Sequence, residues 1–358
     1  LNRTEYQNSI RDLLGLQIDA TKLLPGDDAS FGFDNVGDVL TVSPTLMDRY
    51  MVAASRVVRN ALGDVTLQPN TEVYSVPTRM IQDDRAGELT PFGSRGGLAV
   101  EHYFPVDGEY EIRIRLARDR VHDIIGLMDQ HEVDVRLDGA KLKSYEVGGG
   151  AKDQERFYGQ DYSKPVGGEQ ESYERTADAG MVFRFNAKAG RRTLSVAFLS
   201  KSGLPEGLYR RRLAGAQYTQ ADDIPGIGHV LVTGPLTVMG SGDTASRNLI
   251  LSCRPAKVAE EAGCAKQILS RLARRAYRRP VTDAEAQTLM SFYEMGRKEA
   301  PANSNAHEAG IAMALRRMLV APQFLFRQET DPAGIQSGKP YRLSDLELAS
   351  RLSFFLWS

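Results

Sequence analysis

The chain is predicted to be α+β and multidomain: N-terminal helices, a central antiparallel β-sandwich of jelly-roll type, and a C-terminal helical domain truncated at its end. Three observations carry this. Apolar residues recur at helical spacing near the start, the period falls to two between about residues 66 and 240, and helical spacing with capping boxes returns near residue 255. The boundaries read as 1–65 for the N-terminal helical domain, 66–240 for the sandwich, 241–330 for a helical domain with a cysteine pair, and 331–358 for the start of a further helical domain.

Asn2 and Glu5 have capping-box spacing, and Leu1, Tyr6, Ile10, Leu13 and Leu14 then share one helical face until Gly15. Ser43-Pro44 opens a second helix, with Ser as cap and Pro in the first turn; Leu46, Tyr50, Ala53, Ala54, Val57 and Val58 form its inner face and Gly63 closes it. In the stretch EYEIRIRLA, Tyr110, Ile112, Ile114 and Leu116 alternate with Glu111, Arg113 and Arg115, the signature of a half-buried strand. The same alternation returns at Val133, Val135 and Leu137, at Phe183 and Phe185, and at Leu194, Val196 and Phe198. Turns are expected at Val106-Asp107-Gly108, Asp138-Gly139 and Ala189-Gly190. Short strands with such turns and no intervening helix indicate a sandwich. Residues 145–180 are Gly-rich, charged and aperiodic, and read as a long surface loop.

Beyond residue 255, Val258, Ala265, Ile268, Leu269, Leu272 and Ala276 line one helical face, while Arg271, Arg274, Arg275, Arg278 and Arg279 surround it until Pro280. Thr282 with Glu285 caps the next helix, Ile311, Leu315, Met318 and Leu319 mark another, and Ser344 with Glu347 opens the last. That helix reaches Trp357 and Ser358 in mid-pattern, so the chain reads as a fragment.

With 45 Lys and Arg against 46 Asp and Glu, the formal charge of -1 gives no electrostatic reason to expect nucleic acid, and no run has the roughly 20 apolar residues of a membrane helix. The chain opens without Met or signal peptide, so an export signal is expected upstream of Leu1. The two cysteines, Cys253 and Cys264, are either idle thiols or a local disulfide. A continuous helix between them would hold them roughly 16 Å apart, but Pro255 and Gly263 argue against one, so a looped segment with the main helix starting near Cys264 leaves bonding geometrically open.

Catalytic signals are sparse. The acidic loop with Asp27, Asp28, Asp34, Asn35 and Asp38 lacks the EF-hand pattern and reads as turn chemistry, leaving calcium open as a cofactor. His102, His122, His131, His229 and His307 form no metal-binding pair; His131, in phase with Val133 and Val135, is expected to point into the sandwich. The Arg cluster reads as a solvated or ion-paired face rather than a phosphate site. Neither Gly148-Gly149-Gly150 nor Gly96-Gly97 fits a nucleotide loop. Aromatic and acidic residues near the sandwich loops, Glu101, Tyr103, Asp107, Tyr145, Phe157 and Tyr158, are the candidate ligand-binding set, by analogy with glycan-binding jelly rolls.

LNRTEYQNSIRDLLG, LPGDDASFGFDN, Cys253-Arg254-Pro255 with Cys264-Ala265, ARRAYRRPVT, APQFLFRQE and YRLSDLELASRLSFFLWS together resemble planctomycete-type, cytochrome-c-associated exported proteins built from domains of unknown function. The sandwich is similar to the carbohydrate-binding-like module of such proteins. The resemblance implies an extracytoplasmic location, pairing of Cys253 with Cys264, and a c-type haem domain elsewhere in the parent chain, since no C-x-x-C-H occurs here. It transfers no catalytic residue. The leading expectation is a non-catalytic scaffold whose sandwich binds a polysaccharide and whose helices meet other domains of the parent. One alternative is a redox or hydrolytic enzyme acting on polysaccharides through Glu101, His102, Asp107 or His131; the other is a purely structural interaction module in which the Arg face and an apolar patch near Phe354, Phe355 and Trp357 meet neighbours.

Overall fold

The computed structural model describes residues 1–27, 43–78, 80–119, 122–127, 129–149, 169–199, 224–302, 304–326 and 341–357. The fold is α+β, in two compact units: 1–66 with 241–358, and 67–240. Helices from both ends of the chain thus belong to one unit, and the sandwich is inserted between them.

In the helical unit, α1 (Arg3–Leu14) carries the expected reciprocal box, with Glu5 N–H donating to Asn2 and Asn2 N–H to Glu5. Helix α2 (Pro44–Leu62) is capped by Ser43 and closed by Gly63. Its inner face, Tyr50, Ala53, Ala54, Val57 and Val58, is fully covered. The chain returns as α4 (Ala245–Ile250), α5 (Val258–Ala276), α6 (Asp283–Lys298), α7 (Ala306–Leu319), α8 (Pro322–Leu325) and α9 (Asp345–Trp357). Helix α7 is the hub: it packs against α2, α5, α6 and α8, and buries Ile311, Ala314, Leu315, Met318 and Leu319. Each fully covered Ile, Leu or Met among them contributes roughly 1.5–3 kcal/mol. The α6–α7 crossing is close because it has glycine on both sides. A Cβ at Gly310 would lie 2.6 Å from the Tyr293 ring, and one at Gly296 would lie 2.7 Å from the Ala309 carbonyl oxygen.

Two expectations for α5 change. The helix starts at Val258, earlier than Cys264, and runs through Gly263, while Val258 is 73 % exposed. The first turns overhang the unit, and packing begins at Cys264. Cys253 lies before the helix, outside its register, so the Cα atoms of Cys253 and Cys264 stand 5.6 Å apart and a disulfide joins them. The Arg face is also more specific than a solvated one. Arg271 donates to the carbonyls of Leu249 and Ile250, Arg275 to that of Asp12, and Arg278 to that of Phe324, so these guanidinium groups tie α5 to α4, α1 and α8. Arg279 pairs with Glu285 at 2.6 Å. That contact, with the Thr282 cap, pulls the Glu285 carboxyl down to about 2.

The inserted unit has eight strands: β1 (Asn70–Ser75), β2 (Ser94–Phe104), β3 (Asp107–Leu116), β4 (His131–Leu137), β5 (Ala140–Val147), β6 (Val182–Ala187), β7 (Gly190–Leu199) and β8 (Ile227–Gly240). One sheet has the order β1-β8-β3-β6 and the other β2-β7-β4-β5, with all neighbouring strands antiparallel. Except in the β4–β5 hairpin, each strand crosses to the opposite sheet, which is jelly-roll topology. The hairpin turns at Asp138 and Gly139, both at positive φ, as the Asp-Gly pair predicts. Inward residues Ile112, Ile114, Val133, Val135, Val196, Phe198, Val230 and Val232 make the core. Residues 145–180 are not simply a loop. Strand β5 extends to Val147, and helix α3 (Glu169–Thr176) sends Tyr173 onto the core, where its hydroxyl accepts from Gly148 N–H at 2.8 Å.

Gly310→Ala should force α6 and α7 apart and cost about 1–3 kcal/mol, read as a lower midpoint in urea denaturation. Reducing the disulfide should remove about 3 kcal/mol, the chain-entropy value for a loop of this size; paired thermal scans with and without reductant measure it.

Candidate functional site

The segment from Val76 to Gly93, between β1 and β2, is organised around a buried amide. The Gln82 side chain donates to the Ile227 carbonyl at 2.8 Å and accepts from the N–H groups of Ile227 and Gly97, both at 2.9 Å. One side chain thereby acts as a strand partner to β8 in one sheet and β2 in the other. Gly97 sits in a β2 bulge at φ +82°, and a Cβ there would collide with the Val196 carbonyl, so the approach needs glycine.

Beyond Gln82, Arg85 closes the loop on itself. Its guanidinium donates to the carbonyls of Thr90 and Glu88, and Thr90 Oγ1 donates to the Gly87 carbonyl. Ser94 ties back to Pro91. The same guanidinium lies 4.3 Å from the Phe92 ring centroid, while Phe92 is 83 % exposed. Leu89 is also exposed, at 57 %. A braced loop therefore presents a rigid aromatic ring with a cation on one face and its other surface open, a platform on which the C–H face of a sugar ring or another flat apolar group can stack.

The expected ligand set is dispersed. Glu101 and Tyr103 alternate outward on β2, where Glu101 pairs with Arg191 at 2.7 Å and Arg191 is the register partner of Tyr103, so these two share one face. Asp107 starts β3 in the opposite sheet and accepts from Lys188 Nζ and Ala189 N–H, both at 2.8 Å. Burial would raise its carboxyl, but these donors outweigh burial and hold it below the ordinary range. Asp107 thus pins the β6–β7 connection. Tyr145 packs on Phe183 at the edge of the core, and its hydroxyl is buried with no hydrogen-bond partner among the described residues, so burial raises it. Strands β2 and β5 are opposite edges of one sheet, three strand spacings or roughly 14 Å apart, so Tyr145 does not join Glu101 and Tyr103. Phe157 and Tyr158 lie outside the described residues.

His102 and His131 are embedded in packing, whereas His122 and His229 are exposed. His102 Nδ1 is 2.7 Å from the Tyr74 hydroxyl, which donates to Glu72, and its ring packs 4.4 Å from Phe104. His131 reaches the Gly126 carbonyl through Nε2 at 3.0 Å and Arg95 through Nδ1 at 3.3 Å, with its ring against Phe198 as its phase predicts. His102 points inward, Glu101 outward, and Asp107 and His131 hold separate turns. The four side chains named for the enzymatic alternative thus engage separate partners. Of the acidic loop, Asp27 accepts from Arg3 N–H; Asp28, Asp34, Asn35 and Asp38 lie outside the described residues. Among those described, no group of three or more metal-ligating side chains occurs, and no helix is long and apolar enough to cross a membrane.

Sequence reasoning passed over Phe92 and Asp178. Phe92 had a local signal, an isolated aromatic between Pro91 and Gly93. Asp178 had none, because its partners lie some sixty positions away. Its carboxylate, wholly inaccessible, accepts from Leu116 N–H, Arg115 and both Nη groups of Arg118 at 2.9–3.0 Å. Burial opposes its ionisation, but Arg118, Leu116 N–H and Arg115 together hold it below its ordinary value.

Residues 1–63 match a family described as PSD3, protein of unknown function (DUF1587), and residues 264–329 match PSD5, protein of unknown function (DUF1595). Both matches fall in the helical unit, and neither touches the sandwich. No curated protein and no solved structure matches the chain.

Removing the Asp178 charge should unlock the end of β3: Asp178→Ala is expected to cost about 3–5 kcal/mol by stranding two guanidinium groups. Because the folded carboxyl is depressed, its stabilisation is complete above the ordinary value near 3.8 and is lost as pH falls through the folded one. Asp178→Asn should therefore flatten the acid limb of a stability-versus-pH curve.

Proposed function

We propose that this chain is the non-catalytic scaffold and ligand-binding portion of an exported, c-type-cytochrome-associated multidomain protein, in which the jelly roll binds a glycan. The observation that carries the binding role is the Phe92 platform: an aromatic ring 83 % exposed on a loop locked by Gln82 and Arg85. Exposing a large ring costs hydration free energy, and bracing it keeps the conformational cost of binding low. Stacking supplies affinity, while Arg85 and the nearby backbone supply polar contacts to hydroxyl groups. The two matched domain families support a place in such a multidomain protein, and the Cys253–Cys264 disulfide supports an oxidising, extracytoplasmic compartment. Haem belongs to a domain outside this chain, and calcium remains a cofactor to be tested.

A second reading, a structural interaction module, is favoured by α9, where Leu348, Leu352 and Phe355 are exposed on one helical face. A glycan-array screen of the whole chain, with and without calcium, separates the two. Specific binding that weakens about tenfold or more in folded Phe92→Ala is the expected result. Binding indifferent to Phe92 would move the site to the Glu101–Tyr103 face, and a folded chain that binds no glycan would leave the interaction module.

A further inference from the structure

The helical unit holds a groove of about 630 Å³, within the range of small-molecule sites. From the α7 cap Asn305 it extends through Ala309 and Ala312 to Arg316, positions that share one helical face over eleven residue steps, roughly 16 Å. Val58 and Leu62 of α2 join Ala309, Ala312 and Met313 in an apolar strip, and Arg59, Asp64, Arg247, Glu299, Glu308 and Arg316 line the same groove.

Those charges are unequally committed. Arg59 donates to Asp64 at 2.6 Å and to the Thr66 carbonyl at 3.1 Å, and Arg247 donates to Glu308 and to the Leu62 carbonyl, both at 2.5 Å. Arg316 makes no hydrogen bond, ion pair or ring contact among the described residues, and its Nε is buried without a partner. Asp64, the carboxylate that acts on it electrostatically, is already held by Arg59 and Thr66. Burial lowers the Arg316 pKa, yet a guanidinium does not give up its proton in a protein, so the desolvation cost stands. A half-buried cation without an acceptor, opening on a groove of this size, calls for an anion from outside the chain.

We propose that this groove binds a small amphipathic molecule through its carboxylate, with Arg316 gripping the carboxylate and the apolar body lying along the strip between α2 and α7. A monoanion fits better than phosphate or sulfate. Only one guanidinium is uncompensated, and Asp64, Glu308 and, at the α6 end, Glu299 already bring negative charge to the groove. The planar carboxylate also matches the guanidinium fork. This site is independent of the sandwich and of the glycan reading.

The test titrates the whole chain with 4-phenylbutyrate, its uncharged isostere 4-phenylbutan-1-ol, and inorganic sulfate, following amide shifts by NMR, and repeats the series on Arg316→Met. The expected result is saturable shifts along α2 and α7 with the carboxylate, weaker effects with the alcohol and with sulfate, and about tenfold or greater loss of affinity in Arg316→Met. Because Arg316 serves the ligand and not the fold, the variant's Tm without ligand should equal or exceed that of the parent. Equal binding of acid and alcohol, no saturable shifts at these helices in the parent chain, or a lowered Tm in Arg316→Met would each overturn the proposal. The parent-chain titration decides even where the variant does not fold.

Discussion

The pairing of the sandwich's first strand with its last is the constraint on which the inserted unit depends. β1 lies against β8 from Asn70 opposite Gly234 to Ser75 opposite His229, and β8 lies in turn against β3. The last strand in sequence, fourteen residues long, is therefore an interior strand of one sheet, flanked by β1 and β3. Such non-local pairing is costly in loop entropy, and a buried side chain adds a tie between the sheets. Gln82, some 145 positions from Ile227, supplies the strand-like hydrogen bonds that join β8 to the β2 bulge. The pairing also brings the two ends of the insert to one sheet, the arrangement in which a domain is accommodated within another.

The helical unit solves a similar problem by different means. Its two halves are separated in sequence by the whole sandwich, and α7 joins them by accepting α2 on one side and α5 and α6 on others. Close helix approach at Gly296 and Gly310 makes room for that many neighbours around one rod. Arginines then satisfy the carbonyls that helix ends leave open: Arg271 serves α4, Arg275 serves α1, and Arg278 serves α8. Against this pattern Arg316 stands out, since its neighbours have acceptors and it has none among the described residues.

Electrostatics divides the polar groups into those that hold the fold and those free to act. Asp178, Asp107 and Asp64 are depressed below their ordinary values because donors outweigh burial, and all three fasten turns or strand ends. His307 moves down because burial, aided by the Arg297 charge, outweighs Glu261 and Glu308, and its ring lies against Tyr293 at the α6–α7 contact. Groups so engaged have little left to offer a ligand, which is why the Phe92 loop and the Arg316 groove are the places proposed here for binding.

Much of the fold was legible in the sequence. The capping boxes at Asn2–Glu5 and Thr282–Glu285, the Ser43-Pro44 start, the inward rows of Ile112, Ile114, Val133 and Val135 and the Asp138-Gly139 hairpin are dictated by local chemistry and by the 3.6 and 2.0 periods of the backbone. Less of the candidate site was legible. Glu101 and Tyr103 were recognisable as outward neighbours two residues apart, but nothing local shows that Tyr145 faces the opposite edge or that Asp107 is spent on a turn. Element type and inner face follow from neighbours along the chain, and the sequence by itself determined those. The sharing of one unit by both helical segments, the crossing order of the strands, the bracing of Phe92 and the isolation of Arg316 were decided only by tertiary structure, because each depends on partners brought together from distant positions, or on their absence.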